Sequence, residues 1–234
     1  MRWVHRALCL SALLHFVVTI PVPSNAWPTL EEVIGKSGSD KAFPGLASSS
    51  STAHHGYARY YEPFMERLRE SPIRLLEIGV EAGRSLRVWQ EYFVHADHIF
   101  GVGYGNFQTA QKQTCNSAAA TRVSSSTVSR CTIYKGDQSD AQFLEDLVAD
   151  SGGNFDIVVD DGSHVPSHQR ISFTHLWPHV KPGGYYIIED IETSYWSRDA
   201  TIYGYKLTGE RSVIGHFQKV IDTINHEMLG PKKP

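Results

Sequence analysis

The stretch Arg74-Leu75-Leu76-Glu77-Ile78-Gly79-Val80-Glu81-Ala82-Gly83-Arg84-Ser85 passes from a short apolar run through a glycine-spaced turn into a segment of helical periodicity. An apolar run of this length, ended by glycine, reads as a strand buried on both faces. Gly79 and Gly83 leave room for the backbone to pass close to a ligand. Glu77, at the strand end, is placed to bind a ligand amine directly or through water. On spacing alone, a glycine turn with a purely structural role reads the same way.

Outward from this turn, short apolar runs alternate with amphipathic stretches, the pattern of parallel strands joined by crossover helices. The runs predict strands at 74–78, 98–102, 132–134, 155–160 and 185–188, and the stretches between them predict helices at 85–93, 141–150 and 166–180. Lys181-Pro182-Gly183-Gly184 reads as the turn back into the fifth strand. Val213, Phe217, Val220, Ile221, Ile224 and Met228 form one apolar stripe of a final helix, stopped by Gly230-Pro231. No further strand pattern follows. The expected class is α/β, a Rossmann-like doubly wound sheet over 71–234, preceded by a helical and loop extension at 27–70. In that extension Tyr57, Tyr60, Tyr61, Phe64, Met65 and Leu68 suggest a helix, while 35–52 reads as loop.

The chain of 234 residues, 41% hydrophobic, is long enough for one substantial core. Residues 1–26 have the layout of a signal peptide, with Arg2 and Arg6 before an apolar run and the small residues Ser24 and Ala26 after it. This predicts entry into the secretory pathway, lumenal or secreted, with an uncleaved anchor as the alternative and no stable membrane span after cleavage. Without that segment 20 basic side chains face 25 acidic ones, which argues against a nucleic-acid partner. Homo-oligomerisation is left open. Cys115 and Cys131 then remain as an even pair, and a disulfide between them would contribute about 3 kcal/mol by restricting the unfolded chain. Two free thiols are the alternative.

Two groups of residues carry chemistry. After the third strand, Asp137 is placed to accept a hydrogen bond from an adenine amino group with Gln138 alongside, although an aspartate capping the next helix would look identical. The strand exits Asp160-Asp161-Gly162-Ser163-His164 and Glu189-Asp190 bring carboxylates and an imidazole to one edge of the sheet. Clustered carboxylates repel one another unless a cation joins them, and hard oxygen ligands suit Mg²⁺.

With these motifs in one chain, the run Phe155-Asp156-Ile157-Val158-Val159-Asp160-Asp161-Gly162-Ser163-His164 resembles the metal-dependent O-methyltransferases of macrolide sugars, the mycinamicin and macrocin type. Asp40-Lys41, His55-Gly56-Tyr57, Leu76-Glu77-Ile78-Gly79, Gly136-Asp137-Gln138 and the run from Ile188 to Trp196 extend the resemblance. It implies a class I methyltransferase fold, read here as lacking the last two strands. The resemblance further implies S-adenosylmethionine and Mg²⁺ as cofactors, with Glu77, Gly79, Gly83, Asp137, Gln138 and Asp160 at the cofactor. Asp161, Glu189 and Asp190 would hold the metal and His164 would be the catalytic base.

The expected reaction is methyl transfer to a hydroxyl of a sugar-like or other small polar substrate. Metal coordination would lower the hydroxyl pKa, and His164 would accept its proton. One position departs from the family pattern: Gly103 stands after the second strand where an acidic residue would grip the ribose. This keeps a second reading in view, a non-catalytic secreted binding protein descended from the same fold.

Overall fold

The computed structural model describes residues 27–39, 41, 55–105, 130–196 and 212–225. Its centre is β1 (Arg74–Ile78), where Leu75 and Leu76 point to opposite faces of the sheet and are both fully buried. Burial on both faces requires helices on both sides, and the alternating sequence supplies them. β2 (His98–Gly103), β3 (Cys131–Lys135), β4 (Phe155–Asp160) and β5 (Val180–Ile188) complete a sheet of order β3-β2-β1-β4-β5. Every pairing is parallel. Among the described residues there is no sixth strand.

On the Leu75 face lie α1 (Leu30–Ser37), α2 (Ala58–Met65) and α3 (Arg84–Tyr92), which bury Leu30, Met65 and Trp89 against Ile99, Ile157 and Val159. The Leu76 face is covered by α4 (Ala141–Ser151) and α5 (Pro166–Leu176), whose Leu144, Leu147 and Leu176 meet Phe100, Phe155 and Val158. Local chemistry sets the ends of these helices. Thr29 and Glu32 form a capping box on α1, Asp140 caps α4, and Pro166 occupies the first turn of α5, where its missing N–H costs nothing.

Four expectations change. α1 runs to Ser37 and so takes in part of the stretch read as loop. The third crossover helix stops at Leu176 and tightens into a 3-10 turn at Trp177–His179, where Pro178 cannot donate the next helical bond. β5 begins at Val180, five residues early, and includes Pro182 and Gly183. An edge strand tolerates proline, and the pairing with β4 is irregular between Phe155 and Ile157. Finally, α6 (Val213–Ile224) buries less of its stripe than its periodicity suggests: Phe217 packs edge-on against Phe173 of α5 at 4.8 Å, yet Ile221 and Ile224 are exposed.

Cys131 is disulfide-bonded. The signal-peptide segment, Asp40, Cys115, and the helix end at Met228 with Gly230-Pro231 lie outside the described residues. Among the described residues, no helix is long and apolar enough to cross a membrane.

Candidate active site

The chain winds outward from β1 through β2 to β3 on one side and from β4 to β5 on the other, so the sheet reverses direction between β1 and β4. Ligands bind beyond the carboxyl ends of strands at such a reversal. A cleft of about 660 Å³ opens there, lined by Gly79, Glu81 and Ser85 after β1, Tyr104 after β2, Asp137 and Gln138 after β3, and Asp161 and His164 after β4. That volume lies within the roughly 300–1,000 Å³ typical of small-molecule sites.

The glycine turn is shaped by the protein as well as by any ligand. Gly79 has φ +100°, and a Cβ there would stand 1.9 Å from the carbonyl oxygen of Asp161. Gly83, at φ +74°, is the N-cap of α3 and is not among the cleft-lining residues. Glu77 is fully buried one layer behind the wall, and its Oε2 accepts a hydrogen bond from Ser85 Oγ at 2.7 Å. Oε1 makes no hydrogen bond of normal geometry. Burial raises the Glu77 pKa to about 7, opposed chiefly by the nearby charge of Lys41 and the bond from Ser85. An ammonium group in the cleft would therefore find this carboxyl group behind Ser85.

Asp137 reaches the cleft, but its Oδ1 also accepts from Ser139 N at 2.8 Å and Ser139 Oγ at 2.7 Å. The bond from the Ser139 backbone holds the Asp137 carboxyl below its ordinary range. Helix capping is done by Asp140, so the capping alternative does not apply to Asp137. Asp160, expected at the cofactor, is instead wholly buried and takes hydrogen bonds from Gln138 Nε2 at 3.0 Å and Ser172 Oγ at 2.5 Å. Gln138 uses its other end to accept from Ser163 N at 2.6 Å. Asp160 thus anchors Gln138, and Gln138 ties the exit of β3 to the exit of β4. Sequence spacing could not separate a wall residue from the one behind it.

Beyond β4 and β5, Asp161, His164 and Asp190 each offer a ligand atom within 4.8 Å of the others. His164 Nε2 lies 3.5 Å from Asp190 Oδ2. Both residues have left-handed backbones, φ +56° for His164 and +52° for Asp190. Such conformations cost about 1–3 kcal/mol at non-glycine residues and cluster at functional sites. The His164 turn is held by Thr193, whose Oγ1 donates to the His164 carbonyl at 2.7 Å.

Glu189 separates from this trio. Its carboxylate accepts from Lys41 Nζ at 2.7 and 2.9 Å, and Oε1 accepts from Tyr61 Oη as well. The expected metal set of Asp161, Glu189 and Asp190 is therefore divided: His164 joins the two aspartates, while the lysine charge draws Glu189 inward. Burial raises the Glu189 pKa to about 8, with Lys41 the main opposing influence. Lys41 also donates to Asp161 Oδ2, so one ammonium bridges two strand exits.

The extension supplies more of the site than its residues announced. Tyr57 Oη donates to Asp190 Oδ1 at 2.5 Å, and His55 Nδ1 lies 3.6 Å from the same oxygen. Burial and the hydrogen bond to Asp190 push the Tyr57 hydroxyl pKa well up. Lys41, His55 and Tyr57 lie in segments that support the family resemblance, but nothing in their spacing showed what they would touch. The carboxylates gather positive charge around them, and oxygen donors of this density suit a hard dication. The arrangement fits Mg²⁺ held beside Asp161 and Asp190. Gly103 ends β2 and has no side chain to offer the cleft, and Tyr104 after it is exposed on the rim.

Comparison with known proteins agrees with this architecture. A family model described as a methyltransferase domain matches residues 76–191. Mycinamicin VI 2''-O-methyltransferase of Micromonospora griseorubida is 34% identical over 221 residues, covering 87% of this chain and 49% of that protein. Demethylmacrocin O-methyltransferase of Streptomyces fradiae is 34% identical over 185 residues, covering 75% and 41%. The chain spans about half the length of the curated relatives it matches or less. A crystal structure of MycE methyltransferase with Mg, SAH and mycinamycin VI superposes with a TM-score of 0.65 at 31% identity, covering 86% of this chain and 50% of the other. From the doubly wound sheet, the glycine turn and these matches, the chain belongs by its fold to the class I methyltransferases and is similar to the macrolide-sugar O-methyltransferases.

Proposed function

We propose that the protein is an S-adenosylmethionine-dependent O-methyltransferase that uses Mg²⁺ and acts on a hydroxyl of a sugar-like or other small polar substrate. The observation that carries this reading is the convergence of Asp161, His164 and Asp190 at the cleft at the sheet reversal. Relatives named as O-methyltransferases, one of them of a rhamnosyl tetracenomycin C, and a related structure containing Mg and SAH support it.

The glycine turn and the exit of β3 receive the cofactor, with Glu77 behind Ser85 as the counter-charge for its amino group. Asp161 and Asp190 hold the metal, and Glu189, fixed by Lys41 and Tyr61, is the third carboxylate beside them. When bound, Mg²⁺ supplies Lewis acidity toward a substrate hydroxyl. His164 takes the hydroxyl proton. Its Nε2 faces Asp190, so the positive charge it acquires is stabilised by that carboxylate.

Calorimetry with S-adenosylhomocysteine and Mg²⁺, followed by transfer of labelled methyl from S-adenosylmethionine to a panel of glycosides, tests the proposal. Binding of both ligands with methylation of a glycoside supports it. Binding without transfer to any hydroxyl compound favours the non-catalytic alternative, to which Gly103 gives physical ground. The secretory address of residues 1–26 belongs to the same reading, and N-terminal sequencing of protein recovered from cells and medium tests it.

A further inference from the structure

Lys41 is 2% exposed, yet it comes from a segment 120 residues before Asp161 and 148 before Glu189. Its backbone is tied on both sides, with its N–H donating to Ser39 Oγ at 3.4 Å and its carbonyl accepting from Ala58 N at 3.3 Å. These bonds place the side chain between α1 and α2 and aim it at the strand exits. Tyr61, one turn into α2, then donates to the same Glu189 oxygen that Lys41 holds.

Stability alone does not explain this arrangement. Taking an ammonium and two carboxylates out of water costs several kcal/mol per ion, and well-packed apolar side chains of similar volume are often equal or better. A buried ion cluster is best accounted for when its geometry serves something else. Here it joins the extension to the two strand exits that carry the candidate metal ligands. One ammonium bonded to both Asp161 and Glu189 fixes these two carboxylates beside the Asp161–His164–Asp190 group.

We propose that Lys41 is a positioning residue for the metal site, a fixed cation that holds the carboxylates of Asp161 and Glu189 in the arrangement that admits one dication, with Tyr61 as its second support. This rests on the metal-dependent reading above and adds a role for the extension. Removing the lysine charge lets Glu189 and Asp161 move apart under their mutual repulsion. The metal then loses a preformed set of ligands.

The test uses the full chain and Mn²⁺ as a paramagnetic probe, titrated by electron paramagnetic resonance, with S-adenosylhomocysteine binding measured separately by calorimetry without metal. Lys41→Met should weaken Mn²⁺ binding at least tenfold, well beyond the change in S-adenosylhomocysteine affinity that follows from losing its charge beside Glu77. A Lys41→Met protein that binds Mn²⁺ as tightly as wild type, or more tightly, overturns the proposal. Should Lys41→Met fail to fold, Tyr61→Phe keeps the ring and removes only the donor. A threefold or greater loss of Mn²⁺ affinity in that variant supports the proposal, and an unchanged affinity overturns it. Wild-type protein that binds no Mn²⁺ sinks the metal-dependent reading itself, an outcome distinct from a variant that behaves like wild type.

Discussion

Gly79 and Asp161 are interlocked: the backbone of the first turn passes so near that of the fourth-strand exit that a Cβ on Gly79 would stand 1.9 Å from Asp161 O and 2.5 Å from its carbonyl carbon. One residue thereby sets the distance between the proposed cofactor turn and the proposed metal loop. Gly79→Ala combines this clash with a left-handed backbone at φ +100°. It should destabilise the protein by about 4 kcal/mol or more, a size reserved for strain and overpacking. Chemical denaturation monitored by circular dichroism measures it, and a loss under 1 kcal/mol would show that the two loops can separate freely.

Glu77 gives a pH dependence with a definite sign. Its folded pKa, about 7, exceeds the ordinary 4.5, so between those values the native state holds a proton that the unfolded state has released. Stability must fall as pH rises through this window, by about 3 kcal/mol for the full shift. Compared with wild type, Glu77→Gln should lessen the fall in stability between pH 4.5 and 7, with the raised pKa of Glu189 accounting for much of what remains. Parallel profiles for the two proteins would place the titration elsewhere.

His164→Ala should retain S-adenosylhomocysteine binding and lose methyl transfer by about 10²–10⁴-fold, the usual contribution of a positioned base. The side chain is absent from the glycine turn and from the exit of β3, so cofactor affinity has no reason to change. Wild-type turnover by the variant would remove the assignment, and a matched loss of cofactor binding would make His164 a wall residue.

Gly103→Asp tests the departure at the end of β2. An aspartate there would offer charged hydrogen bonds to ribose hydroxyls, each worth about 1.5–3 kcal/mol, and should tighten S-adenosylhomocysteine binding tenfold or more. Calorimetry decides. Unchanged affinity would point to Glu81, which lines the same cleft with a left-handed backbone at φ +40°, as the group already serving the ribose.

The core of the fold was legible because each central strand is a continuous apolar run and each crossover begins near a recognisable helix start. Leu75, Val158 and Leu144 fall where hydrophobic periodicity places them. The exceptions lie at edges. Pro182 and Gly183 read as a turn but belong to a strand, since among the described residues β5 has only one neighbour and can lose a ladder bond there. Ile221 and Ile224 fit the stripe of α6 but remain exposed, because periodicity reports which face is apolar and not whether anything covers it.

For the site, the sequence by itself determined which residues stand at strand ends. Strand ends follow from apolar run length, and that was enough to bring Asp161, His164 and Asp190 to one edge of a parallel sheet. Tertiary structure alone decided what each one faces. Asp160 and Asp161 are neighbours in sequence, yet one is sealed against Gln138 and Ser172 while the other meets Lys41 at the cleft. Glu189 and Asp190 are divided in the same way, the first toward Lys41 and Tyr61, the second toward His164 and Tyr57. Lys41, Tyr57 and Tyr61, which make part of these choices, come from a segment more than 100 residues away. Periodicity along the chain records the direction of each side chain relative to its own strand, whereas electrostatic partners are set by how distant elements pack.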